Sequence, residues 1–199
     1  MSRWEPNAPG RLEVAALELY IERGFEQTTV AEIARRAGLT ERTFFRHFAD
    51  KREVLFAGSA GLQRFLVSAV ASAPDSAAPI DAIAAALEAV AAVFEERRAY
   101  ARQRQTVIAA NPELQERELI KLAALASAMA EVLRRRGVTD PAAGLTAEAG
   151  IAVFKIAFER WVSEASPQDF RQVIRDSLDE LKAVTAGKDH RQDKRPVAG

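Results

Sequence analysis

The sequence predicts an all-α fold, and three observations carry that prediction. Alanine, leucine, arginine and glutamate dominate the chain, a composition that favours helix nearly everywhere. No strongly alternating apolar–polar run is present, so nothing reads as a half-buried strand. Breaker residues are scarce, 10 glycines and 8 prolines in 199 residues, and the prolines sit at segment edges. With 48% hydrophobic residues, the chain can bury a sizeable core.

Capping and stop signals divide it into about nine helices. The first, near 9–23, ends at Gly24. Thr29 with Glu32 three residues on is a capping-box pattern and opens a second helix, 29–36, which Gly38 stops. Thr40 caps a third at 40–47. Asp50 with Glu53 repeats the capping-box pattern and opens a long fourth helix, 50–73. The small-residue linker "SAPDSAAP" (72–79) leads to a fifth at 79–96, and a sixth comes next at 98–110. Asn111–Pro112, Asp140–Pro141 and Ser166–Pro167 each place a good cap before a proline suited to the first turn. They open helices at 112–136, 141–164 and 167–186, with Gly137 and Gly187 as stops after the seventh and ninth. The domain border is expected inside the fourth helix, giving domains 1–55 and 56–187. The tail, 188–199, lacks apolar periodicity and is expected to be disordered.

Charge and chemistry narrow the function. Basic and acidic residues balance at 28 each, so no global polyanion affinity is implied. Locally the balance tips. Between Arg35 and Arg52, six basic residues (Arg35, Arg36, Arg42, Arg46, Lys51, Arg52) face two acidic ones (Glu41, Asp50). A cationic patch on a neutral chain fits a specific docking surface. The absence of cysteine removes disulfides, thiolate nucleophiles and zinc–thiolate sites. His47 and His190 lie far apart, so no histidine metal site is expected, and no cofactor is called for. "MSRWEPNAPGR" lacks an apolar signal region, and the run "IAVF" (151–154) is far too short to span a membrane, so the expected compartment is the cytoplasm.

The stretch "RTFFRHF" shows what the patch is for. Wound at 100° per residue, Phe44 and Phe48 fall on one side of the third helix, with Leu39 just before it. Arg42, Thr43 and Arg46 fall on the other. The second helix offers Val30, Ile33 and Ala34 to its inner side, and "RAGLT" joins the two with a glycine, an apolar anchor and a threonine cap. Two short helices around a tight glycine turn make a helix-turn-helix, whose second helix enters the major groove. An ordinary amphipathic helix with a solvated cationic face is the competing explanation, which the turn chemistry and flanking caps disfavour.

The segment "ALELYIERGFEQTTVAEIARRAGLTERTFFRHFADKREVL" (16–55) resembles the DNA-binding domain of the TetR family of bacterial transcriptional regulators. The resemblance implies that Thr28 and Thr29 contact phosphate at the start of the second helix. It implies that Thr40 caps the recognition helix and touches phosphate, and that Glu41, Arg42 and Thr43 face base edges. Arg46 and His47 would pair with phosphate, Arg46 alternatively with a base, and Lys51 would hold the DNA backbone. One position departs. Many relatives carry a phosphate-binding tyrosine where this chain has Phe45, which has no hydroxyl to offer and would contact DNA by packing against sugar or a thymine methyl, or else extend the core.

Beyond residue 55 the chain resembles the family in helicity and length. Amphipathic stripes recur: Ile83, Leu87, Val90, Phe94; then Leu122, Leu125, Met129, Leu133; then Phe170, Val173, Ile174, Leu178, Leu181. The eighth helix differs, with a main face (Ile151, Phe154, Phe158, Trp161, Val162) and a second one (Ala149, Ala152, Val153, Ile156). So wide an apolar arc suggests a helix sandwiched between its own domain and a partner. Burial inside the monomer is the alternative. The last two helices of TetR-like subunits pair into a four-helix dimer interface, which implies homodimer contacts through Val153, Ile156, Phe170, Ile174, Leu178 and Leu181. A ligand pocket is expected among the middle helices, with Phe94, Phe154, Phe158 and Trp161 as walls, or as plain core. On the sixth helix Gln103 and Arg104 share a stripe with Tyr100, Val107 and Ile108, so Gln103, Arg104 and Val107 join the candidate pocket. Arg104 either reaches out to solvent, pairs with a glutamate such as Glu118 or Glu159, or awaits an anionic ligand.

The function these readings imply is a homodimeric, sequence-specific DNA-binding regulator, a repressor released by an unknown small-molecule inducer, on a partly palindromic double-stranded operator. The alternative is a small-molecule-binding helical protein with a vestigial DNA-binding domain. No nucleophile–base set, phosphate loop or metal cluster is visible, so an enzyme is not expected.

Overall fold

The computed structural model describes residues 8–163 and 168–187, and every regular element among them is helical. In order these are α1 (Ala8–Arg23), α2 (Val30–Arg36), α3 (Glu41–His47), a 3-10 turn (Glu53–Phe56), α4 (Ser59–Ala71), α5 (Pro79–Glu95), α6 (Arg98–Ala109), α7 (Pro112–Arg135), α8 (Ala142–Val162) and α9 (Phe170–Thr185). The predicted all-α class and nine-helix order stand.

The fourth helix is not continuous as expected. Asp50 does cap: its Oδ1 accepts from the N–H groups of Arg52 (2.8 Å) and Glu53 (3.2 Å). The capped segment is a 3-10 turn, however, and α4 starts only at Ser59. Val54, Leu55 and Phe56 are buried in succession, which a one-sided α-helix cannot do, and Gly58 and Gly61 weaken helix just beyond. The 13-residue α4 spans about 20 Å, short of the roughly 30 Å of a bilayer core. The cap predicted at Ser166–Pro167 lies outside the described residues, and Asp169 caps α9 instead, accepting from the Gln172 N–H at 2.8 Å.

Burial falls into two clusters. The first gathers Leu12, Leu19, Phe25, Ile33, Phe44 and Val54 from the first three helices and the 3-10 turn. It continues into the larger part of the chain, because Val107, Ile108 and Leu114 pack into it. The second is built from α4 through α9. At its centre Phe94, Phe154, Phe158, Trp161 and Phe170 form a ring cluster, with Trp161 stacked on Phe170 at 4.7 Å between centroids. We call α1 to α3 with the 3-10 turn the head, and α4 to α9 the body.

Packing corrects the residues expected between subunits. Val153, Phe170, Ile174 and Leu178 are buried in the chain's own core, and Leu181 is half-buried against it, so none of the first four is presented to a partner. Ile156 is presented, 52% exposed. Leu145, half-buried Ala149 and exposed Ala152 precede it at three- and four-residue steps along α8, which makes one narrow outer stripe.

Candidate nucleic-acid interface and ligand cavity

α3 is held as the sequence suggests. Thr40 is its N-cap, accepting from the Thr43 N–H at 3.2 Å, and Phe44 is fully buried beneath it with Phe48 alongside. That anchoring leaves Glu41, Arg42, Phe45, Arg46 and His47 exposed and Thr43 half-exposed on the opposite side. Arg46 and His47 lie side by side, 3.4 Å between Nη2 and Nε2. Phe45 is 56% exposed, an aromatic ring standing among charges.

The turn before α3 needs glycine. Gly38 has φ +66°, and a Cβ there would stand 2.7 Å from Nη2 of Arg11. That guanidinium reaches across the turn to the carbonyls of Ala37 and Gly38 and pins it against α1.

Three of the expected DNA contacts have other duties. Thr28 is 1% exposed, and its hydroxyl donates to the Gly24 carbonyl at 2.9 Å, so it offers nothing to phosphate. Thr29 is exposed but closes the α2 capping box with Glu32, donating through its hydroxyl at 2.9 Å. Lys51 donates to the carbonyls of Phe25 (2.9 Å), Glu26 (3.2 Å) and Thr28 (3.1 Å), which takes up all three of its N–H groups. Its nitrogen also sits 4.3 Å from the Phe25 ring centroid. It fastens the loop after α3 to the loop before α2 rather than reaching outward.

The cationic patch is therefore smaller than its sequence count. Arg36 is held by Glu18 and Glu22, and Arg52 by Asp50. These pairs raise the guanidinium pKa of each, chiefly through the carboxylate hydrogen bonds. With Lys51 also engaged, Arg35, Arg42 and Arg46 remain without an ion pair among the described residues, two of them on α3.

A cavity of about 630 Å³ opens where the body meets the head. Phe94, Phe154, Phe158 and Arg104 line it, as expected. Gln103, Val107 and Trp161 do not. Gln103 is on the surface, Val107 is buried in the head cluster, and Trp161 is buried behind the rings that form the wall. Arg104 is paired in this structure: Nη1 donates to Glu118 at 3.1 Å, while Nε donates to the Leu55 carbonyl at 2.7 Å and the guanidinium lies 4.9 Å from the Phe56 ring centroid. The sequence reading missed Glu13, Leu55 and Phe56, which the head contributes, and Arg97, Tyr100, Gln105 and Lys121. One signal was there. Arg97, Tyr100, Ala101 and Arg104 recur at helical spacing, a face that places Gln103 outside.

Comparison with known proteins agrees with this layout. Residues 14–57 match the family model "Bacterial regulatory proteins, tetR family", and residues 77–186 match "MftR C-terminal domain". The chain is 29% identical over 170 residues to the candidate mycofactocin biosynthesis transcriptional regulator MftR of Mycobacterium tuberculosis, covering 83% of this chain and 85% of that one. It is 34% identical over 96 residues to the HTH-type transcriptional regulator TcmR of Streptomyces glaucescens, covering 43% and 42% respectively. Among solved structures it is similar to Thermus thermophilus FadR, a transcriptional repressor in complex with lauroyl-CoA, at 25% identity and TM-score 0.51, covering 96% and 100%.

Proposed function

The chain belongs to the TetR family of bacterial transcriptional regulators, and on that premise we propose that it is a homodimeric repressor released from a partly palindromic operator by a small molecule. It acts in the cytoplasm, the head (through residue 57) reading DNA and the body binding ligand and partner. The observation that carries the reading is the division of labour on α3: Phe44 and Phe48 go in, Arg42 and Arg46 stay out and unpaired. A vestigial head would have no reason to keep two cations free of ion pairs on its most exposed short helix while Arg23, Arg36 and Arg52 are committed to carboxylates. Arg42 and Thr43 read base edges, Glu41 limits which base is accepted, and Arg46, His47 and Thr40 hold phosphate. Phe45 packs against sugar or a thymine methyl.

Ligand release is supported by the cavity and by the lauroyl-CoA complex of the Thermus relative. Dimerisation is proposed through the outer stripe of α8, Leu145, Ala149, Ala152 and Ile156. A two-fold pair sets two α3 helices into successive major grooves about 34–36 Å apart, or a multiple of that.

The test is a gel shift on DNA flanking its own gene. Arg42→Ala should weaken binding by about 1–3 kcal/mol with an unchanged melting temperature. Equal affinity for operator and unrelated DNA would sink the reading. Sedimentation should show a dimer for the wild type and a monomer or aggregate for Ile156→Glu.

A further inference from the structure

The cavity lies on the seam between head and body, and each charged group lining it has a partner. Arg97 faces Glu13 of α1 at 3.8 Å. Arg104 holds the Leu55 carbonyl and Glu118. Lys121 donates to Glu53 at 3.0 Å, and Arg117 holds the same carboxylate. Lys155 faces Glu159 at 4.0 Å. The pairings of three cavity-lining cations cross the seam with the same polarity, and Arg117 adds a fourth behind them. The cation belongs to the body, from Arg97 before α6 to Lys121 on α7, and the acceptor belongs to the head. Away from the seam the cavity wall carries the apolar side chains Phe65, Val93, Phe94, Phe154 and Phe158, with the Lys155–Glu159 pair beside them.

Two of the three cations hold poor acceptors across the seam. Glu13 is too far from Arg97 for a hydrogen bond. The head partner of Arg104 is a neutral carbonyl, a weaker acceptor than any carboxylate or phosphate. An incoming anion improves on both. An incoming cation gains little, since the acids here either already hold a guanidinium, as Glu118 does, or are buried beside one, as Glu13 is.

We propose that the cavity takes an amphiphile with an anionic group, and that this anion displaces Glu13, the Leu55 carbonyl and Glu53 from Arg97, Arg104 and Lys121, unfastening the head from the body. The inference rests on the reading that this cavity is the ligand site. Recognition and release are then one event, because the residues that bind the anion are the ones that hold the head still. A ligand shifts such an equilibrium only by its preference for the unfastened seam. The coupling is reciprocal, so loosening the seam by mutation must tighten the anion.

The experiment uses full-length protein carrying Trp4→Phe, so that Trp161 alone reports. Trp161 stands 5.8 Å from Phe158 and 6.5 Å from Phe94, both on the cavity wall. The probes are dodecanoate and dodecan-1-ol, matched in chain length and different in charge. Dodecanoate should bind about tenfold more tightly, and Arg104→Gln should remove most of that advantage. Glu53→Gln, which weakens the seam without touching the apolar wall, should tighten dodecanoate by about fivefold and leave dodecanol unchanged. Glu53→Asp, whose shorter side chain draws the carboxylate back from Lys121, should act in the same direction if Glu53→Gln impairs folding. Saturating dodecanoate, and not dodecanol, should speed amide exchange at Leu55 and Phe56. Equal binding of the two probes, binding of neither, or looser dodecanoate binding in both Glu53 variants overturns the proposal. A gel shift on the same preparation separates the two readings. Loss of operator binding by unliganded protein strikes the regulator assignment, whereas intact operator binding with equal probe affinities strikes only this inference.

Discussion

In the head, contacts between elements are closed by side-chain donors on backbone carbonyls. Lys51 reaches three of them, the Tyr20 hydroxyl donates to the carbonyl of Lys51 at 2.6 Å, and Arg11 holds the turn before α3. In the body the centre is closed by small residues and rings. Ala82, Ala86, Ala143, Ala147 and Ala157 let α5 and α8 approach, and five aromatic side chains fill the rest. Polar ties in the body sit at its margins: Arg98 and Arg102 on the last carbonyls of α8, and Arg136 on those after α4. Directional bonds admit one geometry, which suits a surface that must match DNA. Packing of rings and alanines is less particular, and it leaves room for a cavity that can change shape.

Breaking the head core should have the largest effect. Phe44 is fully buried, so Phe44→Ala should cost about 3–5 kcal/mol and unfold the head. Circular dichroism should then show an early transition while Trp161 fluorescence still reports a folded body. A single coincident transition would show that the seam couples the two cores into one cooperative unit. Next comes Lys51→Met, expected to cost about 2–3 kcal/mol because three carbonyls lose a charged donor. Its melting temperature should fall together with operator affinity. Lost affinity at unchanged melting temperature would restore Lys51 to the DNA backbone.

The two regions were also unequally legible in the sequence. Caps, stops and the inward phenylalanines of the head are local patterns, and Thr29, Thr40, Gly24 and Gly38 stand where they were expected. The duties of Thr28 and Lys51 were not legible. Thr28 bonds back across an irregular turn to Gly24, and the partners of Lys51 lie 23–26 positions away along the chain, in geometry no spacing rule supplies. In the body, periodicity found each inner stripe but not what it faced. Val153 and Ile156 are three residues apart on one apparent face of α8, yet one is buried and the other half-exposed. The cavity was half legible, because the head residues that close it come from another part of the chain.

Gly150 belongs to what the sequence hid. It is buried where α8 crosses α5, and a Cβ there would stand 2.5 Å from Cγ2 of Ile83. Gly144, on the same helix, has open space around it. Both gain helix propensity on substitution, about 1 kcal/mol at most. At Gly150 the overlap outweighs that gain, so Gly150→Ala should destabilise the body by about 1–2 kcal/mol, while Gly144→Ala should be neutral or slightly stabilising. Chemical denaturation followed at Trp161 measures both, and a stabilised Gly150→Ala would mean that α5 and α8 part more easily than their packing implies.

The smallest effect expected is on acid titration, and it separates head from seam by sign. Hydrogen bonds from the Arg52 side chain, then from backbone N–H groups, hold the Asp50 carboxyl below its ordinary 3.8. Its folded pKa is depressed, so its stabilisation is present above that ordinary value and is lost as pH falls through the folded pKa. Glu13 is the reverse. Burial pushes its pKa above the ordinary 4.5, and the nearby Arg97 only partly offsets this. The fold disfavours its charged form, so that penalty stands at neutral pH and is relieved as pH falls through the raised value. Lowering the pH from 7 towards 4.5 should therefore firm the seam while leaving the Asp50 cap untouched, and only further acid should loosen the cap. Amide exchange at Leu55 and Phe56 tracks the seam; at Arg52 and Glu53 it tracks the cap. Glu13→Gln should abolish the firming and leave the cap's acid loss in place. If the seam instead loosened steadily from neutral pH downward, the Arg97–Glu13 pair would be holding the head by its charge after all.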